Sequence, residues 1–237
     1  LGDVYKRQMP EREATELLGK ISVGMWLRVS GRMELSYDGK DMQLNPQDIM
    51  QIDHAERTDT AEEKRVELHL HTRMSNMDAL TDTAAVVKRA IKWGMPAIAI
   101  TDHGVMYGVV DFYRACKAEG VKPIIGCEVY VAPRTRFDKQ HEFDSEARHL
   151  VLLCENEEGY RNLSYLVSMA HVEGFYIKPR IDLDLLREHS KGLIALSACL
   201  AGEIPRRLRN GDYNGANEYA LTLSEICLLY TSPSPRD

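Results

Sequence analysis

Long apolar runs are missing from this sequence. No stretch approaches the roughly 18 consecutive apolar residues that cross a bilayer, so a membrane-spanning helix is excluded. Cysteines are few, and the five present show no C-x-x-C or other paired spacing. That argues against a disulfide framework and fits free thiols in a reducing cytoplasm. No signal peptide is visible. Positive charge is also short: the formal net charge is −6, and basic and aromatic residues are not clustered together. A strongly basic nucleic-acid surface is thereby disfavoured, although a nucleic-acid substrate handled through metal ions is not. What remains is the ordinary composition of a soluble globular protein, long enough for one large domain or two small ones.

Both ends look foreign. Residues 1–8 and 227–237 resemble translated sequencing-adapter sequence, and the second stops an evident helix with a Pro/Ser-rich tail. They are expected to lie outside the fold, leaving a fragment of a longer chain. Between them, Glu and Leu at helical spacing predict a helix over 9–23. Short alternating stretches over 25–31, 41–44 and 49–52, with Asp38-Gly39 as a tight-turn signal, predict β-structure. This segment, 9–56, reads as part of an OB-like barrel or as a generic β-meander. A charged linker over 57–64 separates it from a domain over 65–226.

That domain opens on Val66-Glu67-Leu68-His69-Leu70-His71-Thr72. The alternation predicts a strand, in which residues two apart share a face, so His69 and His71 converge on one space. Strands and helices then alternate. A helix capped by Thr81 or Asp82 ends at Gly94, the apolar strand 96–101 stops at Asp102-His103-Gly104, and a helix over 109–119 ends at Gly120. Strand 122–126 runs on to 131, a polar loop covers 133–146, and strand 149–154 leads into a helix over 157–171. A further helix over 183–189, strand 192–197 and helical segments to 226 complete the order. This is an α/β pattern with a mostly parallel sheet or barrel, whose functional groups gather at the carboxyl ends of strands.

The candidate ligands fall at such positions. Asp102 and His103 follow a buried strand, Glu128 follows Ile124-Ile125-Gly126, His149 opens a strand and Cys199 follows one. With His69, His71 and Asp78 they form a mixed N/O/S set suited to two or three Zn²⁺ or Mn²⁺ ions. Neighbouring divalent ions activate water and clamp the oxygens of a phosphoryl displacement. Singly, each residue has a plainer reading. Asp102-His103 fits a helix cap beside a surface histidine, Glu128 a solvated strand residue, His149 an exposed strand start, Cys199 a small buried hydrophobe and Asp78 a turn.

These motifs, in this order, resemble a known family: His-Leu-His-Thr at 69–72, Ile-Thr-Asp-His-Gly at 100–104, Ile-Ile-Gly-Cys-Glu at 124–128, His149-Leu150, and Leu-Ser-Ala-Cys-Leu-Ala-Gly-Glu at 196–203. They look like the PHP (polymerase and histidinol phosphatase) domain of bacterial DNA polymerase III α subunits. The resemblance implies an incomplete PHP-type distorted (β/α)7 barrel over 65–226, truncated at its C-terminal side and preceded by part of a β-rich OB-like segment. It maps His69, His71, His103, Glu128, His149 and Cys199 onto metal-binding positions, with Asp78 and Asp102 as further candidates. The family's late Asp-x-His motif has no counterpart after Cys199. Residues 24–69 look like the end of the OB-fold region that precedes the PHP domain in the PolC type, and beyond Gly104 the stretches Met106–Tyr113, Glu128–Pro133 and Gly174–Ile181 look more like the DnaE type. A lineage with a PolC-like front and an assembly chimera both fit.

The resemblance implies a segment of a cytoplasmic replicative polymerase, whose PHP site either hydrolyses phosphodiesters as a 3′–5′ exonuclease or serves as a metal-bearing scaffold. It also implies DNA, the sliding clamp and a proofreading exonuclease as partners of the parent protein, and Mg²⁺ for a palm domain absent from this chain. A free-standing phosphatase of the histidinol-phosphatase kind and a pure nucleic-acid-binding module are the competing readings.

Overall fold

The computed structural model describes residues 16, 19–53 and 57–230. The chain divides into two compact units between Arg57 and Thr58. Most of the helix expected over 9–23 lies outside the described residues; residues 16, 19 and 20 are helical.

The first unit is an antiparallel hairpin of β1 (Leu27–Leu35) and β2 (Met42–Gln51). β2 is one continuous strand where the sequence suggested two. Pro46, which cannot donate to a ladder, sits opposite Gly31 beside a bulge at Ser30/Gly31. A Cβ on Gly31 would lie 2.0 Å from the Asn45 carbonyl oxygen, so this crossing requires glycine.

In the second unit, α1 (Thr83–Lys92) is capped by the Asp82 side chain, which accepts from the Ala84 N–H. It buries Val86, Val87 and Ala90 against β3 (Ala97–Ile100) and α2 (Val109–Glu119). β3 pairs in parallel with the first half of β4 (Lys122–Val131), as a β–α–β crossover requires. The second half of β4 pairs antiparallel with β5 (Arg148–Cys154) and, at its end, in parallel with the two-residue β6 (Arg180–Ile181). β7 (Leu193–Leu196) pairs antiparallel with β5. The sheet is therefore mixed rather than mostly parallel. Within the segment 132–147 the short α3 (His141–Asp144) replaces part of the expected loop.

After β5 come α4 (Glu157–Val172) and α5 (Leu183–Glu188), and after β7 come α6 (Glu203–Arg209) and α7 (Tyr213–Ile226). Leu228–Tyr230, set aside above as foreign, form β8 beside β7 in parallel register. An apolar stretch leaving α7 finds an unpaired edge there, the usual closure of a β–α–β unit. Among the described residues β3 and β8 are not paired with each other, so the sheet is an open run rather than a closed barrel.

Strand alternation splits the core. Cys127, Val129, Val131, Leu150 and Leu152 face α4 and its Leu163, Leu166 and Ala170. On the opposite face Val151, Leu153, Leu196 and Ala99 form a small inner cluster. Because Glu128, Tyr130 and His149 share that inner face, they sit above this apolar floor.

Candidate metal centre

The His69-x-His71 stretch runs along β3 but is not a regular strand. Its ladder is replaced by side chains: the Leu70 N–H donates to Thr101 Oγ1 (2.8 Å) and the Thr72 N–H to Asp102 Oδ1 (2.6 Å). Backbone bonds from Ala99 N–H to Glu67 O and from Thr101 N–H to Leu70 O hold it against the sheet. The two imidazoles converge as the alternation predicts, their Nε2 atoms lying 2.7 and 2.9 Å from Glu128 Oε2.

Glu128 is the centre of the site. It is 1% exposed and sits mid-strand in β4, where its N–H donates to the Asp102 carbonyl and its carbonyl accepts from the Gly104 N–H. Oε2 faces His69 and His71, with His103 Nδ1 at 3.5 Å, while Oε1 lies 2.7 Å from His149 Nδ1. One carboxylate is thus shared by two groups of possible ligands, His69/His71/Glu128 and His103/Glu128/His149. Cys199 Sγ approaches His149 Nδ1 at 3.6 Å and Glu128 Oε1 at 3.9 Å. Asp78, more than half exposed, reaches His103 Nε2 at 2.7 Å. His71 and His103 stack at 4.1 Å.

Asp102 is the exception among the expected ligands. It is buried, and both its oxygens are already used by the Thr72 N–H, the Thr72 hydroxyl (2.8 Å) and the Ser75 hydroxyl (2.7 Å). Its position supports the ligands and does not join them. Ser75, which no sequence pattern marked, accepts from the His103 N–H (3.1 Å) and lies 3.4 Å from His71 Nδ1, tying both histidines to one hydroxyl. Tyr130 was also passed over. It lies two residues beyond Glu128, hence on the same strand face, and packs on His103 and His149 with centroids 5.9 and 5.2 Å away.

Electrostatics follow from this crowding. Burial alone would raise the Glu128 pKa, but hydrogen bonds with His149, His69 and His71 outweigh it and hold the carboxyl far below its usual range. Burial opposes the charged form of His149 too, yet Cys199 and Glu128 raise it to about 9. His103 moves the other way, lowered by burial. Tyr130 is pushed up to about 12 by burial. An imidazole cluster around one ionised carboxylate is the donor chemistry of a divalent-metal site. His103 Nδ1 adds a direct sign: it is buried, points toward Glu128 and has no hydrogen-bond partner. A buried polar atom left unpaired costs about 1–3 kcal/mol, which a metal ligand bond offsets. Strain is concentrated here as well. Among the described residues three non-glycine residues have positive φ: Met77, Ile177 and Ala198. Two of them directly precede Asp78 and Cys199, and each costs on the order of 1–3 kcal/mol.

A family profile described as the PHP domain matches residues 67–228, more than half of the chain. The chain belongs to the PHP domain family. The PHP family implies a metal site, and the donor cluster fits one. The chain is 56% identical over 140 residues to the DNA polymerase III subunit alpha of Chlamydia muridarum, covering 59% of this chain and 11% of that protein. It is 47% identical over 156 residues to the protein of the same name from Treponema pallidum, covering 65% and 13%. The chain thus spans about one-eighth of the length of these relatives. Among solved structures it resembles an amidohydrolase from Chromobacterium violaceum with bound sulfate and no metal, at 15% identity and a TM-score of 0.39, over 70% of this chain and 84% of that one. No helix among the described residues of the PHP domain is long and apolar enough to cross a membrane.

Proposed function

We propose that this chain is the PHP segment of a bacterial replicative DNA polymerase III α subunit, and that its metal centre hydrolyses phosphodiesters at a DNA 3′ end. The observation that carries the chemistry is the sharing of the Glu128 carboxylate between two imidazole groups, which suits neighbouring Zn²⁺ or Mn²⁺ ions. The polymerase assignment rests on the identity to the two α subunits. The parent's partners, DNA, the sliding clamp and a proofreading exonuclease, follow from the same likeness.

In this reading His69 and His71 would hold one ion and His103 and His149 a second, with Glu128 shared between the two groups and Asp78 and Cys199 as further donors. Divalent ions at such a site supply Lewis acidity toward phosphoryl oxygens and lower the pKa of a water. Asp102 and Ser75 keep the histidines aimed, and Tyr130 closes one wall against solvent. Hydrogen bonds with His149, His69 and His71 favour the ionised form of Glu128, which suits an anionic ligand.

Elemental analysis of the chain, paired with nucleotide release from a 3′-labelled primer, tests this. About two equivalents of metal, and nucleotide release abolished in Glu128→Gln, are the expected results. Metal without release would make the site a scaffold; absence of metal would overturn the reading.

A further inference from the structure

The third positive-φ residue, Ile177, has no place in the ligand set. It sits at the middle of a tight turn in which the Tyr176 N–H donates to the Lys178 carbonyl (3.0 Å) and the Lys178 N–H to the Tyr176 carbonyl (2.7 Å). A γ-turn with positive central φ is rare and strained. On the other side, Pro179 is buried against Gly104, where a Cβ would come within 3.0 Å of the Pro179 ring. Arg180, fully buried, donates to the carbonyls of Gly174, Asp144, Arg136 and Asp138. The Lys178 backbone is therefore fixed from both directions, while its side chain is exposed.

The ammonium lies over the Tyr130 ring, 5.5 Å from its centroid, and Tyr130 itself packs on His103 and His149. No carboxylate among the described residues pairs with it. Other cations near the centre are already neutralised. Arg73, two residues past His71, pairs with Asp82, and Arg148, beside His149, pairs with Glu203 and Glu146. A strained turn that presents one uncompensated ammonium beside a metal centre spends stability on function. Packing on Tyr130 alone would be served as well by an apolar side chain.

We propose that Lys178 is a phosphate-docking residue of this site, holding a phosphate of the nucleic-acid strand next to the one at the ions. The inference rests on the phosphodiesterase reading given above and names the residue that makes the site prefer a strand over a small monoester. Tyr130 serves as the platform that keeps the ammonium at that distance.

The test is binding of a short 5′-fluorescein-labelled oligothymidylate to this chain, followed by anisotropy at several salt concentrations with metal content measured on the same samples. Lys178→Ala is expected to weaken binding about tenfold at low salt, while Lys178→Arg stays within about threefold. The slope of log affinity against log salt should fall by about 0.7 in Lys178→Ala, as the loss of one single-strand phosphate contact requires, with metal content unchanged. A merely structural role would not move that slope. An unchanged slope in Lys178→Ala, at any metal content, overturns the assignment. If the wild type holds no metal, the metal-centre reading falls separately, and a slope that still drops in Lys178→Ala keeps the phosphate contact.

Discussion

Asp102 offers the sharpest check on how this site is held together. It is 2% exposed, forms no ion pair among the described residues, and accepts three hydrogen bonds from Thr72 and Ser75. Replacing it with alanine orphans the Thr72 N–H and two hydroxyls in a region closed to water. At about 1–3 kcal/mol for each unsatisfied donor, and with hydroxyls able to rotate, the loss is about 4 kcal/mol. For a unit of this size each kcal/mol moves the melting temperature by about 2–4 °C, so Asp102→Ala should melt about 8–16 °C lower. Asparagine behaves differently. Its oxygen keeps the bonds from the Thr72 N–H and Ser75, and its amide donates to a rotated Thr72 hydroxyl, so only charge assistance is lost. Asp102→Asn should cost about 1–2 kcal/mol, or about 2–8 °C. Thermal melts in chelator isolate this from metal loss. Adding metal back provides a second readout, since a displaced support typically weakens metal affinity about 10–100-fold. An Asp102→Ala chain melting within about 2 °C of wild type, or an Asp102→Asn chain falling as far as the alanine variant, would refute the account.

Three further outcomes are expected. Iodoacetamide should modify Cys199 first, because it is exposed whereas burial raises Cys116 to about 11 and Cys154 to about 12; Zn²⁺ should slow that modification, read by peptide mapping. Hydrogen bonds from Arg134 hold Asp144 down at about 2. Its contribution is present above the unfolded value near pH 4 and is lost as pH falls through about 2, so the melting-temperature gap between wild type and Asp144→Asn should close over that window. A gap that stays constant there would contradict the pairing. Finally, Arg180→Leu orphans four carbonyls and should cost more than about 3 kcal/mol. Proteases should then cut within 133–147 before other sites, and uniform cutting would count against the clamp.

Why some of this was readable and some was not has physical causes. His69, His71, His103, Glu128 and His149 stand beside or within apolar runs whose alternation fixes which way a side chain points, so convergence followed from local pattern. The antiparallel direction of β5 did not, because Leu150–Leu153 is an apolar run that reads the same in either direction. The long connection 132–147 permits both. Asp102 and His103 are sequence neighbours, and only the Thr72 and Ser75 bonds decide that the carboxylate supports and the imidazole points inward. The missing ladder beside β3 has a related cause. Thr101 Oγ1 and Asp102 Oδ1 take the donors a neighbouring strand would have taken. Ser75 and Lys178 carry no periodic signal at all; their roles arise from turns whose closing bonds no short window contains.

The spacing of the ligands along the chain sets a timetable. A ribosome feeding out this polypeptide completes the triad of His69, His71 and Glu128 once β4 can settle beside β3, both near neighbours in sequence. His149 becomes available only after the 132–147 connection has been made, and Cys199 later still, once β7 has been added. On the proposed reading a first ion would therefore find its donors on the nascent chain before a second, and the shared carboxylate would be the edge on which the later half of the centre is assembled.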